Sequence, residues 1–403
     1  MTRASPGVAL AATLAIQAYV ALVVSAPAVL ATEIAQAFDI APKWIGVFIG
    51  LTYAGGMFSS LAGGGFVARF GAIRVSQAAV AIAIAGALLL ALAPASAVAL
   101  LAVAAVIIGT GYGPITPASS HVLIRTTPPS KLALTFSIKQ TGVPAGAALA
   151  GAMLPALALA AGWRGAFVIL GIAGVAVIAA AQPIRAALDT DLDRDRRLTP
   201  AGVFAPLALV RGSRELKELV LIGFCYAATQ VCLMSFIVVY LTDALGWSLV
   251  AGGLALTVTT LGGVAGRIVW GFVADRLMPP RRVIGMLGIA AFACSVTMAF
   301  AGAAWPAWAV LGLAAAYGAS AIGWNGVQLA EIARHAPKGA AGAVTGGAGF
   351  ITFAGVVAGP PIFAALAAAT GSYRVGFVTF GVLSGALGVM LLLRAASRAR
   401  TAG

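Results

Sequence analysis

Successive apolar runs, each close to twenty residues long, fill most of this chain, and few folds can accommodate that pattern. The runs fall near 9–31, 45–67, 75–93, 97–122, 133–159, 165–187, 216–241, 249–274, 283–303, 307–330, 341–368 and 373–393. About 20 apolar residues in a helix cross a hydrocarbon core of about 30 Å. Helices and closed barrels are the architectures that cross it with every backbone group hydrogen-bonded. Composition agrees: 61% of the 403 residues are hydrophobic and 9% are charged, against roughly 25% charged in a soluble domain. The spacing predicts an all-α membrane protein of twelve spans, with lipid as the solvent for most of the chain. The first run is longer than a signal-peptide core and is followed by more spans, so it is read as an uncleaved helix.

The net charge of +14 raises the question of a nucleic-acid partner. The cations, however, sit in short segments between apolar runs and form no dense basic patch, so none is expected. With the N-terminus inside, twenty of the 25 Lys and Arg gather on one side, among them Arg3, Arg69, Arg74, Arg125, Arg196, Arg197 and Arg276. Lys43, Arg164 and Arg374 lie on the other side. By the positive-inside rule this predicts a multi-pass protein of a bacterial-type inner membrane with both termini cytoplasmic. Cys225, Cys232 and Cys294 lie in apolar runs without metal-type spacing. They read as core residues, and no metal or cofactor is expected.

The polar stretch 188–215 mixes Asp and Arg and divides the chain near its midpoint. It reads as a solvated cytoplasmic linker between an N-terminal six-helix bundle, 1–187, and a C-terminal one, 216–403. The halves resemble each other. The segment 154–174 aligns with 360–385, pairing Trp163 with Tyr373, Arg164 with Arg374 and Phe167 with Phe377. The segment 63–74 aligns with 270–282. Internal duplication of this kind is how many transporters build a central site between two halves.

The sequence Gly271-Phe272-Val273-Ala274-Asp275-Arg276, followed by Arg281 and Arg282, resembles the loop signature of the major facilitator superfamily. There the signature falls between helices 2 and 3 and recurs between helices 8 and 9. The resemblance implies twelve helices in two pseudo-symmetric bundles, usually a monomer, and a cytoplasmic gate formed here by Asp275, Arg276 and Arg69. An Asp at that place can face a neighbouring helix N-terminus. The first copy, 64–71, has Ala68 where the acidic residue belongs, so Asp275 is expected to be the main electrostatic element. Gly266-Arg267-Ile268-Val269-Trp270-Gly271 also resembles helix 8 of oxalate–formate antiporters and monocarboxylate transporters. In those families an Arg at this position engages a substrate carboxylate. Their second cation lies on helix 11; here helix 11 has none, and its repeat partner, helix 5, carries Lys139.

Charged groups within a bilayer are costly and therefore functional candidates, and Lys139 and Arg267 are the two cations within predicted spans. Arg can hold a carboxylate bidentately while Lys supplies a point charge, which points to an anionic solute. A second reading has both cations bonding helix-terminal carbonyls. Polar and aromatic residues gather on spans 1, 4, 7 and 10, the helices the superfamily uses to line its cavity. The candidates for substrate contact are Gln17, Tyr112, Tyr226, Gln230, Tyr317, Trp324, Asn325 and Gln328. His121 is a candidate proton carrier, since its side chain can titrate near neutral pH. The expected function is secondary transport of a small mono- or dicarboxylate by alternating access, as uptake by proton symport or anion exchange. Efflux of amphipathic drugs is the alternative, although Gly142-Val143-Pro144-Ala145-Gly146 does not match the helix 5 element of drug exporters. A membrane enzyme is disfavoured, because the chain lacks a His/Glu metal motif, a nucleophile–base pair and paired intramembrane carboxylates.

Overall fold

A computed structural model describes residues 5–41, 44–195, 198–302 and 304–401. Of the cations used for orientation, Arg3, Lys43, Arg196 and Arg197 lie outside the described residues, as does Ala303 in the ninth predicted span. Eleven helical stretches are long and apolar enough to cross a membrane. One of them, Pro129–Leu188, has 60 residues, about twice what a bilayer needs. It is broken at Gly162, where φ is 72° and ψ 161°, a conformation that L side chains avoid. The break makes two helices of it, and the expected twelve are present among the described residues.

The spanning helices are α1 (Pro6–Val29), α2 (Trp44–Phe70), α3 (Ala72–Leu92), α4 (Ala99–Thr126), α5 (132–161), α6 (163–188), α7 (Arg214–Leu245), α8 (Leu249–Arg276), α9 (Pro280–Ala299), α10 (Ala307–His335), α11 (Ala341–Thr370) and α12 (Tyr373–Arg394). Large apolar side chains stand exposed on their outer faces, among them Leu159, Ile172, Val250, Leu261 and Trp308, as expected where lipid is the solvent. The linker departs from expectation. It contains the helix Pro200–Gly212, started by Thr199, whose hydroxyl accepts from the Gly202 amide.

The described chain forms two compact units. The first comprises Met1–Thr127, Lys139–Leu216 and Ile332–Phe353; the second comprises Pro128–Ile138, Lys217–Glu331 and Ala354–Gly403. Within the first, α2 packs on α4, α3 on α4 and α6, and α1 on α5 and α6. Within the second, α8 packs on α10 and α9 on α10 and α12. The same crossing therefore recurs in each, as the internal repeat predicts.

The recurrence extends to single residues. At the α2–α4 crossing a Cβ on Gly109 would overlap the carbonyl oxygen of Thr52; at the α8–α10 crossing one on Gly318 would overlap that of Thr259. Lipid supplies no hydrophobic drive between helices, so their association relies on close backbone packing through small residues. Thr52 and Thr259 are fully buried, and each turns its hydroxyl back onto its own helix, to Phe48 O and Ala255 O. Replacing Gly109 or Gly318 by Val is expected to cost about 1–3 kcal/mol through overpacking. Thermal unfolding in detergent checks this, with Gly312→Ala, whose Cβ would meet open space, leaving the midpoint unchanged or raised.

Candidate functional site

The two intramembrane cations lie one in each unit. Lys139 lies in the last turn of the segment Leu132–Gln140 of α5 and is 1% exposed. Its Nζ donates to Gln17 Oε1 at 2.7 Å and to Gln140 Oε1 at 2.9 Å. The glycines of α5 make this possible: a Cβ on Gly142 would press on Gln17, and one on Gly146 would overlap the Ala18 carbonyl of α1. Arg267 in α8 is 3% exposed, and its Nε donates to the carbonyl of Ile322 at 3.2 Å. Ile322 closes the first segment of α10, Ala307–Ala321, so this bond is of the helix-terminal kind that the second reading anticipated. These acceptors are two amides and a carbonyl, groups that hold a cation in place by dipole.

The polar and aromatic candidates divide into two sets. Gln17 holds Lys139. Tyr112 packs its ring 6.4 Å from Tyr53 and 5.6 Å from Phe353. Gln230 and Asn325 are half-buried. The others are engaged in helix packing. Tyr226 donates to Ile284 O and meets Trp324 edge-on at 5.7 Å, while Trp324 donates to Ala321 O. Tyr317 donates to Ser295 Oγ, which donates to Phe377 O, a chain tying α10 to α9 and α12. Gln328 donates to the Leu219 carbonyl of α7 at 2.7 Å.

The loop signature behaves as its chemistry requires. The Asp275 carboxylate at the end of α8 accepts from the amides of Ala133 and Leu134, at 3.0 and 2.8 Å, in the first turn of α5. Those amides have no intrahelical acceptor, and an anion there is also favoured by the helix dipole. Arg276 is exposed, and Arg69 lies over the Phe70 ring at 5.4 Å.

The sequence profile of the Major Facilitator Superfamily matches residues 10–360 and, in a second match, 219–402. The chain belongs to the major facilitator superfamily. Relatives agree with that assignment. An uncharacterized MFS-type transporter of Mycobacterium tuberculosis (strain CDC 1551 / Oshkosh) is 25% identical over 274 residues, which cover 68% of this chain and 60% of the relative. The chain thus spans about 60% of that relative's length. Among solved structures, the E. coli fucose:proton symporter FucP aligns with a TM-score of 0.76 at 17% identity, covering 97% of this chain and 99% of FucP. The human organic anion transporter MFSD10 (TETRAN) aligns at 0.73 and 16%, covering 95% and 97%. The proton:xylose symporter XylE aligns at 0.69 and 15%, covering 95% of each chain.

The superfamily signature's incomplete first copy is completed from elsewhere, which sequence reasoning missed. Asp189, just after α6, accepts from the amides of Ile73 and Arg74 at 2.9 and 3.0 Å, in the first turn of α3. It does for α3 what Asp275 does for α5. Gly71 makes room: its φ is 95°, and a Cβ there would fall on the Asp189 carboxyl. Burial, the largest influence, holds that carboxyl above the usual aspartate value against the pull of the Ile73 and Arg74 amides and of Arg185. Its neighbours bind the same surface. Asp191 meets His121 Nε2 at 2.8 Å and also accepts from Arg125, and the Asp193 amide donates to Ala68 O. The first residues of the linker are therefore fixed onto the first unit, while Thr190, Asp191 and Asp193 stay exposed to solvent. In the second unit Glu218, 5% exposed, pairs with Arg394 and with Arg281 at 3.3 Å, and Arg281 reaches Glu331 at 3.3 Å. Spacing gave no sign of this network, whose members lie on four helices.

Two outcomes follow. Asp189→Ala and Asp275→Ala should each lower stability by about 0.5–2 kcal/mol, the worth of a helix cap, and their effects should add because they act in separate units. Glu218→Gln, which leaves Arg281 with Glu331 as its remaining paired carboxylate, should cost more, about 2–3 kcal/mol, toward the lower end of what breaking a buried pair costs. Thermal unfolding of the four purified variants, including the Asp189/Asp275 double variant, checks both.

Proposed function

We propose that this protein is a secondary transporter that moves a small organic anion, a mono- or dicarboxylate, across the membrane by alternating access. The observation that carries this reading is that Lys139 and Arg267, two cations within spanning helices, are both nearly fully buried, at 1% and 3% exposure. Retaining a cation at such a depth is costly unless it serves a function. Anchoring Nε of Arg267 on Ile322 fixes the plane of the guanidinium fork, the geometry that engages a carboxylate bidentately. The likeness to MFSD10, described as an organic anion transporter, is consistent with the substrate class. Coupling is to protons, with the His121–Asp191 pair as the carrier, or to a counter-anion. The excess of Lys and Arg in alternate loops supports a bacterial-type inner-membrane location with both termini cytoplasmic, and the protein acts as a monomer of two six-helix bundles.

Uptake of labelled small carboxylates into proteoliposomes tests the reading. Saturable uptake is expected, falling at least about tenfold in Arg267→Ala, as expected for loss of a charge-assisted hydrogen bond, and falling also in Arg267→Lys, which keeps charge but loses the fork. Lys139→Ala should raise KM. Stabilisation of the purified protein by neutral sugars or cationic drugs alone, unchanged in these variants, would remove the anion assignment.

A further inference from the structure

A groove of about 460 Å³ opens on the side of the first unit between α2, α3 and α4. Ser59, Ala62, Phe66 and Phe70 of α2 form one wall, Arg74, Val75, Ala78, Ala79 and Ile82 of α3 another, and Thr110 and Pro114 of α4 the third. Val75 and Ala79 are buried at its floor, whereas Phe66, Phe70 and Ile82 are exposed. The groove is thus open to whatever surrounds the helices, which at this depth is lipid.

Its chemistry is one-sided. The two hydroxyls in the wall are turned away onto their own helices: Thr110 donates to Val106 O at 2.8 Å and Ser59 to Gly56 O at 3.3 Å. The rings of Phe66 and Phe70 stack at 6.3 Å and 19° to make a flat apolar side. From Arg74 to Ile82 the groove follows α3 for about 12 Å at 1.5 Å per residue. Charge appears at one end. Arg74, in the first turn of α3, is exposed and lines the groove, and the Arg69 guanidinium lies over Phe70 next to it. They flank the one-residue joint between α2 and α3, at the edge of the membrane. A sugar or a free anion would find no donors or acceptors along the walls. An acyl chain needs none, and an attached phosphate would meet Arg74 and Arg69 at the interface, where basic side chains attract anionic headgroups.

We propose that this groove is a binding site for an anionic phospholipid, with one acyl chain between α2, α3 and α4 and the phosphate on Arg74. Ligand bound to the folded state alone raises its stability by mass action. The full-length protein in a neutral detergent is titrated with phosphatidylglycerol, with phosphatidylcholine of the same chains, and with inorganic phosphate, while thermal unfolding is followed. Phosphatidylglycerol should raise the midpoint by about 1–2 °C, on the order of 1 kcal/mol for a chain this size. Phosphatidylcholine should do less and inorganic phosphate nothing. Arg74→Gln should reduce the phosphatidylglycerol shift to the phosphatidylcholine level, and Ala78→Trp, which fills the groove, should abolish both. An undiminished shift in both variants, or an equal shift with inorganic phosphate, overturns the proposal. A photoactivatable phosphatidylglycerol, cross-linked to the unmodified protein and mapped by mass spectrometry, gives a reading independent of the variants' folding. Labels on 59–82 and 110–114 support the site, and labels confined elsewhere overturn it.

Discussion

The crossing of α2 with α4, and its counterpart of α8 with α10, is the contact on which the rest of the architecture depends. Helices in lipid gain nothing by hiding apolar faces from one another, so they must approach until backbones touch. Gly109 against Thr52 and Gly318 against Thr259 achieve this. The same crossing positions chemistry. Gly266 brings α8 onto the Ala319 carbonyl of α10, and the next residue, Arg267, consequently reaches Ile322 O. In the first unit, Gly142 and Gly146 bring α5 onto α1, and the neighbouring Lys139 reaches Gln17. Each buried cation is thus set by small residues a few positions away.

A second constraint acts where helices begin. The first amides of each helix need acceptors from outside it, and carboxylates satisfy two such starts. Asp275 caps α5 and Asp189 caps α3, each with one oxygen on each of two consecutive amides. The chemistry is the same but the source differs. In the second half the acid belongs to the loop signature; in the first half, where Ala68 stands in its place, it comes from a residue more than a hundred positions later. Two related halves have solved one electrostatic problem by different routes.

The twelve helices were legible because their signal is local: each is an apolar run bounded by charge, Pro or Gly. Even the joint between the fifth and sixth spans, expected between 159 and 165, contains the break at Gly162. The cap by Asp275 was legible because it belongs to a recognisable signature. What escaped notice was long-range. Asp189 and Asp191 looked like solvated linker charges, since nothing near them in sequence names Ile73, Arg74, His121 or Arg125 as partners. Glu218 and Glu331 are buried on different helices, and their partners Arg281 and Arg394 lie on two more, far from them in sequence. Tyr317 and Gln328 drew attention as polar groups in membrane helices, but their hydrogen bonds go to neighbouring helices. Polarity marks where a hydrogen bond is needed without saying what will accept it.

The cap on α3 also orders events during synthesis. Residues 72–74 leave the ribosome long before Asp189 does, so the start of α3 must wait for this cap while the rest of α3 and three further helices are made. The N-terminal helices can be threaded into the membrane in that interval, but the surface formed by Gly71, Ile73, His121 and Arg125 closes only when the chain has passed residue 193. A nascent chain arrested before that point would hold its first six helices with an unfinished seam. The first half therefore reaches its mature form only after the segment leading to the second half has begun to emerge.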